Sequence, residues 1–212
     1  MASSEMNPKN IASIENRLGY IFGDKSVLIR AVTRKAFAQE QKQQGQNCDD
    51  QEVYRVFGDA ILKAILVEML LQDGYDSRET ITNRKIELEK RESLGAKLRE
   101  MEIAQFIRFS RGEQKQNAAI QSSVLGETFE ALIAAIYIDG GSYETTKRVV
   151  FKLFDDQRTK KLSQSEPKKA STISVEDVAT EIWQRYNGCD TCFQIDVCAS
   201  IGVCYYDITG DN

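Results

Sequence analysis

Four acidic residues and one arginine lie where two helices could bring them together. In the segment QEVYRVFGDAIL, Glu52, Arg55 and Asp59 are three and four residues apart, so a helix would place them near one face. Glu127 and Glu130 stand three residues apart in a second apolar segment, LGETFEALIAA. A carboxylate among apolar neighbours is costly to bury without a counter-charge or a metal, which makes these acids candidate functional residues.

The chemistry open to such a cluster is limited by what the chain lacks. The 212 residues include no histidine, so a metal site must use oxygen or sulfur ligands. This excludes His-based zinc hydrolases, Ser–His and Cys–His nucleophilic sites, and Glu-x-x-His di-iron bundles. Clustered carboxylates suit a hard cation such as Mg²⁺, with Mn²⁺ able to substitute. The alternative is that each acid is an ordinary solvent-facing residue of its helix.

The elements that must position these residues are predicted to be helical. Apolar residues recur close to a 3.6-residue period from Ile11 to about Asp156, which predicts an all-α body of six to eight helices. DKSVLIRAVTRKAFAQE is predicted to be one helical segment, with Asp24 or Ser26 as its N-cap. The Gln-rich stretch QEQKQQGQNCDD, which has no apolar face, is predicted to be a loop.

The same periodicity assigns residues to the core. Gly58 is predicted to allow a close approach between helices, and Gly74 to follow the end of a long helix. The positions predicted to face inward are Ile11, Ile14, Leu18, Ile21, Val27, Leu28, Ala31, Val32, Val124, Leu125, Phe129, Leu132, Ile133 and Ile136.

The C-terminal part differs in composition from the helical body. Residues 157–174 are polar and predict a linker, and residues 175–212 predict a helix followed by two strands, an α-β-β tail. Four of the five cysteines lie in this tail: Cys189, Cys192, Cys198 and Cys204. The sequence CDTC has no second C-x-x-C after it, so we expect buried free cysteines rather than a zinc site.

Charge and hydropathy limit the partners. The formal net charge is −4, so any nucleic-acid binding would depend on local basic residues. Candidates are Arg84, Lys85, Lys90, Arg91, Lys97, Arg99 and Arg111, although acids alternate with them as on an ordinary salt-bridged surface. No apolar run approaches the roughly 18 residues of a membrane helix, and the N-terminus shows no signal peptide. We expect a soluble intracellular protein of the cytoplasm or nucleus.

Three segments resemble the ribonuclease III catalytic domain in order and spacing: LGYIFGDKSVLIRAVTRKAFAQE, EVYRVFGDAIL and LGETFEALIAAIYIDGG. The resemblance implies a helical endonuclease domain over residues 1–156. It also implies a homodimer that uses Mg²⁺ to hydrolyse double-stranded RNA, leaving 5′-phosphate and 3′-hydroxyl ends with short 3′ overhangs. The tail is faintly similar to part of a double-stranded RNA-binding domain. Whether the role is RNA processing or RNA silencing stays open.

The two acidic motifs are the most specific part of this resemblance. It matches Glu52 and Asp59 to the family's first motif, and it matches Glu130 to the glutamate of the second. Glu127 stands where the family usually has aspartate, and Glu79 falls where the family has a further acid. The resemblance implies that Asp59, Glu127 and Glu130 bind metal directly. Glu52 would hold metal-bound water or a second ion, and Glu79 would support them.

The sequence departs from the family at two positions of its first motif. Arg55 replaces a glutamate that is a metal ligand, and a guanidinium cannot take that role. Either Arg55 contacts RNA or a neighbouring acid while the remaining acids recruit metal, or it acts as a built-in cation in a protein that binds or scaffolds RNA without cutting. Val56 replaces the phenylalanine that commonly inserts into the partner subunit. A third, unrelated class is a helical adaptor whose acids face solvent.

Overall fold

The computed structural model describes residues 6–156, which form nine α-helices and two 3₁₀ turns, with no β-strand among them. The helices are α1 (Pro8–Leu18), α2 (Lys25–Ala31), α3 (Lys35–Gln43), α4 (Glu52–Gln72), α5 (Arg78–Glu89), α6 (Arg91–Glu100), α7 (Arg111–Lys115), α8 (Ser122–Gly140) and α9 (Tyr143–Leu153). The 3₁₀ turns are Ala104–Phe106 and Ala118–Ile120. The mainly helical fold is confirmed, but nine helices replace the predicted six to eight. The predicted linker, α-β-β tail and tail cysteines lie outside the described residues.

Helix α8 runs through the core and packs against both α4 and α6. Gly58 in α4 lies directly against α8, and a Cβ atom there would overlap the carbonyl oxygen of Glu130. On the other side, Gly126 in α8 faces the backbone of Arg91, the first residue of α6. Because two glycines remove side chains at these contacts, α8 lies close enough to both neighbours to bring its acids beside those of α4.

The predicted helical segment DKSVLIRAVTRKAFAQE forms two helices instead of one. Between α2 and α3, the Arg108 amide donates to the carbonyl of Val32 at 2.8 Å, and the Arg34 amide donates to the carbonyl of Arg108 at 3.2 Å. These contacts hold the chain out of helical geometry in an isolated parallel bridge between Thr33 and Arg108. Asp24 is the N-cap, because its carboxylate accepts from the Ser26 amide at 2.8 Å.

The loop predicted for the Gln-rich stretch is wrong over its first residues. Helix α3 continues to Gln43, and Gln41 within it is buried although it is polar. Composition did not indicate this part of the helix, because its inward face contains glutamine in place of an aliphatic residue. The chain leaves the helix at Gln44, and Gly45 adopts a left-handed φ of 76°.

The core residues agree with the helical periodicity except at one position. All the predicted inward-facing residues are buried apart from Ile21, which is 80% exposed. Helix α1 ends at Leu18, and Gly19 takes a left-handed φ of 67°, so the period stops before Ile21 and Phe22 is buried instead. Gly74 follows the end of α4 with a φ of 80°, as predicted. None of the helices described is long and apolar enough to cross a membrane.

Candidate active site

Helices α4 and α8 bring two of the predicted site residues into one cleft. Asp59 of α4 and Glu130 of α8 both line an open cleft of about 400 Å³. The residues that line it are Arg55, Val56, Asp59, Lys63, Glu89, Arg91 and Glu130. Three cations and three carboxylates therefore surround the same space, which suits a ligand containing both a phosphate and a cation.

The Glu130 carboxylate lacks a direct counter-charge. Within the described part of the chain, no hydrogen bond or salt bridge is formed by its side chain. Burial, followed by the nearby charge of Asp59, raises the pKa of Glu130 from its ordinary value of 4.5 to about 7, against the opposing charges of Arg55 and Arg91. A cation placed beside Glu130 would favour its charged form.

Asp59 is held by a lysine from its own helix. The Lys63 ammonium lies 2.7 Å from Oδ2 of Asp59, and the hydrogen bond from Lys63 to this carboxylate raises the pKa of the lysine. Both side chains are well exposed, at 39% for Asp59 and 45% for Lys63. Ion pairs this exposed contribute at most about 1 kcal/mol, so a ligand can displace the lysine from Asp59.

Glu127 is surrounded by arginines. Its Oε1 lies 3.0 Å from Nη1 of Arg55 and 3.9 Å from Nη2 of Arg91, and its Oε2 lies 2.8 Å from Nη1 of Arg34. Arg34 also binds Glu113 through Nε at 3.1 Å. Burial lowers the pKa of Arg34, but its hydrogen bonds to Glu127 and Glu113 outweigh that effect and raise it. Glu127 therefore already has cationic partners on both oxygens.

The remaining predicted acids lie at the edge of this arrangement or outside it. Glu52, in the first turn of α4, lies 4.0 Å from Nη1 of Arg55. Glu79, in the first turn of α5, is exposed and does not line the cleft. Over residues 6–156, no group of three or more acidic or sulfur side chains is arranged to hold a metal ion. The metal-binding roles of Glu52, Asp59, Glu127 and Glu130 and the supporting role of Glu79 stay predictions.

Most of the predicted RNA-binding bases have partners. Lys97 is only 6% exposed and pairs with Asp156, so it belongs to the core. Arg84 pairs with Glu87, and Lys85 with Glu89. Arg91 approaches Glu127 at 3.9 Å, but its side chain is 61% exposed and lines the cleft.

Sequence reasoning missed two cations that matter to the site. Lys63 could have been found, because it follows Asp59 by four residues and so faces it on a helix. Arg34 had no local signal, since it reaches Glu127 across 93 residues from a point where one continuous helix was predicted. Only the break between α2 and α3 turns Arg34 toward α8.

The helical fold is that of ribonuclease III nuclease domains. The nuclease domain of ribonuclease III from Campylobacter jejuni superposes with a TM-score of 0.61 at 26% identity, over 70% of this chain and 96% of that domain. A family model described as ribonuclease-III-like matches residues 24–157, more than half of the chain. The chain therefore belongs to the ribonuclease-III-like family.

Curated relatives agree with this assignment. Ribonuclease 3 of Caldanaerobacter subterraneus subsp. tengcongensis is 31% identical over 144 residues, covering 68% of this chain and 61% of the relative. Ribonuclease 3 of Aquifex aeolicus is 28% identical over 178 residues, covering 83% of this chain and 74% of the relative. The chain thus spans about three fifths of the first relative and three quarters of the second.

Proposed function

We propose that this chain is a ribonuclease III-type endoribonuclease that cleaves double-stranded RNA with the help of a divalent cation. The observation that carries the proposal is that Asp59 and Glu130 line one open cleft while Glu130 lacks a direct counter-charge. The chain belongs to the ribonuclease-III-like family. A buried acid without a counter-charge, placed where α4 packs on α8, suits catalysis that depends on a cation.

The donor atoms in the cleft fit one hard cation. Mg²⁺ is commonly held by one or two carboxylates together with water and substrate phosphate, and Mn²⁺ accepts the same ligands. Asp59 and Glu130 would supply those carboxylates, with Glu52 and Glu127 beside them and Glu79 in a supporting role. The cation would supply an acidified water and stabilise negative charge on the scissile phosphate.

The basic side chains of the cleft would bind the RNA backbone. Arg55, Lys63 and Arg91 line the same space as the two acids and are at least partly exposed. Arginine binds phosphate with two parallel hydrogen bonds, and double-stranded RNA is recognised mainly through its phosphates and A-form shape. Binding by these side chains would weaken steeply with salt and depend little on RNA sequence.

A second copy of this chain would cover an exposed apolar face of α4. Val53, Val56, Phe57 and Ala60 follow one another at helical spacing on the exposed side of α4, and Val56 is 67% exposed. Val56 also lines the cleft, so a homodimer formed through this face would place two clefts near its interface. A second structure of the Campylobacter jejuni ribonuclease III nuclease domain, with a TM-score of 0.62, is described as flexible in a region involved in dimer formation.

One observation favours a second candidate function, in which the chain binds double-stranded RNA or acts as an assembly subunit without cutting. Two acids of the site already have cations of this chain as partners, Asp59 through Lys63 and Glu127 through Arg55. If neither pair opened, neither of these two acids would be available to a divalent cation. We favour the nuclease because the Asp59–Lys63 pair is exposed and Glu130 has no such partner.

The test is a cleavage assay with full-length protein and long double-stranded RNA in Mg²⁺, Mn²⁺ or EDTA. The nuclease predicts cutting in either metal and none in EDTA or with Asp59→Asn. Asp76→Asn removes an exposed acid outside the cleft and should cut like the wild type. End-labelling should then identify 5′-phosphate and 3′-hydroxyl ends with short 3′ overhangs. RNA binding without cutting in either metal would reject the nuclease and leave the second candidate.

A further inference from the structure

A single nitrogen of Arg55 faces two carboxylates. Its Nη1 lies 3.0 Å from Oε1 of Glu127 in α8 and 4.0 Å from Oε1 of Glu52, one turn earlier in α4. The other Glu127 oxygen is held by Arg34 at 2.8 Å. The oxygen of Glu127 that would be free to bind a metal ion is therefore the one in contact with Arg55.

The same nitrogen occupies the space that a cation would need to contact both carboxylates. Glu127 is only 14% exposed, so its charge needs a compensating cation, and a hard cation would seek the same two carboxylates that Arg55 faces. The Arg55 guanidinium and a divalent ion cannot both occupy this place, because an ion in contact with Glu127 would be repelled by the positive charge of Arg55 at close range.

We propose that the Arg55 guanidinium takes the place of a divalent cation between Glu52 and Glu127 and excludes metal from these two carboxylates. The chain would then bind one ion fewer than its carboxylates could support. Of the predicted metal ligands, Asp59 and Glu130 would remain for a divalent ion, a role that rests on the proposed function.

Removal of the Arg55 guanidinium should make Glu52 and Glu127 available to a divalent ion. In Arg55→Glu, the introduced carboxylate would join Glu52 and Oε1 of Glu127, while Arg34 would still hold Oε2 of Glu127. Once the Arg55 guanidinium is gone from between them, these three carboxylates offer the oxygen ligands that Mn²⁺ or Mg²⁺ takes. Arg91 would interfere little, because its side chain is 61% exposed and lies 3.9 Å from the oxygen.

The experiment is a titration of full-length protein with Mn²⁺ alone, without RNA, followed by calorimetry and by the EPR signal of free Mn²⁺. We expect Arg55→Glu to bind one more Mn²⁺ per chain than the wild type does. Arg148→Glu makes the same charge change on an exposed face of α9 and should bind as many ions as the wild type. Arg55→Gln removes the charge with less disturbance to the fold, and it should bind the additional ion more weakly.

Three outcomes separate this proposal from the nuclease itself. An unchanged number of ions in folded Arg55→Glu and Arg55→Gln, as judged by circular dichroism, would overturn it. An equal gain in Arg148→Glu would also overturn it, because the effect would then be one of net charge. If the wild type bound no ion and Arg55→Glu bound one, the exclusion by Arg55 would stand, and the cation site at Asp59 and Glu130 would fail.

Discussion

The guanidinium of Arg55 lies 3.0 Å from the carboxylate of Glu127, and this ion pair joins α4 to α8 beside the cleft. Resemblance to the ribonuclease III family matches both positions to metal ligands, one usually glutamate and the other usually aspartate. In this chain, the first is a cation and the second carries a carboxylate one methylene longer. We propose that this ion pair stands where the resemblance implies a shared metal contact.

Glu130→Gln should change how stability depends on pH in the absence of metal. The folded pKa of about 7 lies above the ordinary value of 4.5, so the folded chain binds more protons than the unfolded chain between these values. The contribution of protonated Glu130 to the free energy of unfolding is therefore greatest below about pH 4.5, and it is lost as the pH rises through 7. In urea denaturation with EDTA, Glu130→Gln should lose less stability than the wild type between pH 5 and pH 8. Glu100→Gln, an exposed control, should behave like the wild type, and an equal loss in all three proteins would refute the effect.

Gly58→Ala should separate α4 from α8. The added Cβ would overlap the backbone carbonyl of Glu130, which cannot move aside as a flexible side chain could. We expect the free energy of unfolding to fall by about 3 kcal/mol, at the upper end of typical overpacking costs. Gly112→Ala, also in a helix, has its nearest neighbouring atom at 3.9 Å and should be neutral or slightly stabilising. Equal stability of the two variants in denaturant titrations would show that close contact at Gly58 is not required.

Lys63→Gln should strengthen metal binding. A cation at Asp59 competes with the Lys63 ammonium, which lies 2.7 Å away, and an exposed ion pair contributes at most about 1 kcal/mol. The dissociation constant for Mn²⁺ should therefore fall by up to about fivefold in titrations without RNA. Arg84→Gln breaks an exposed ion pair outside the cleft and should leave the constant unchanged. Weaker binding by Lys63→Gln would mean that the lysine is not a competitor for Asp59.

Val56→Lys should weaken the proposed dimer. A charge at this position would be desolvated between two copies of α4, which costs several kcal/mol per ion when no partner is present. Sedimentation velocity should show dimers for the wild type and monomers for Val56→Lys at the same concentration. Ile21→Lys changes a still more exposed residue, one outside the α4 face, and should remain dimeric. A monomeric wild type would show that the proposed dimer does not form. Dissociation of Ile21→Lys alone would show that the interface lies elsewhere.

Most of the described fold follows from local rules. Helical periodicity predicted thirteen of the fourteen inward-facing residues named from sequence, because each depends on its own helix. Ile21 failed because Gly19 ends α1, and the α2–α3 break was missed because it depends on Arg108, more than seventy residues away. Gly58 was read correctly, since a glycine among bulky residues of a helix indicates close packing.

The candidate site was less predictable than the fold. Acid spacing and family resemblance named Asp59 and Glu130, and the structure brings them together. The partners of the acids were harder to predict, because Arg34 reaches Glu127 from a distant element while it also pairs with Glu113. Arg55 was identified as a departure from the family, but sequence left open whether it faces RNA, an acid or a metal position. Only the packing of α4 on α8 shows that it binds Glu127.

The measurement that tests the account most directly is the rate of cleavage of one double-stranded RNA by the wild type and by Arg55→Glu, at saturating Mg²⁺ and in EDTA. We expect the wild type to cut in Mg²⁺ and not in EDTA, with Arg55 already in its ion pair with Glu127. The contradicting result is a wild type that binds this RNA without cutting it while Arg55→Glu cuts. Arg55 would then be the substitution that inactivates an inherited nuclease site.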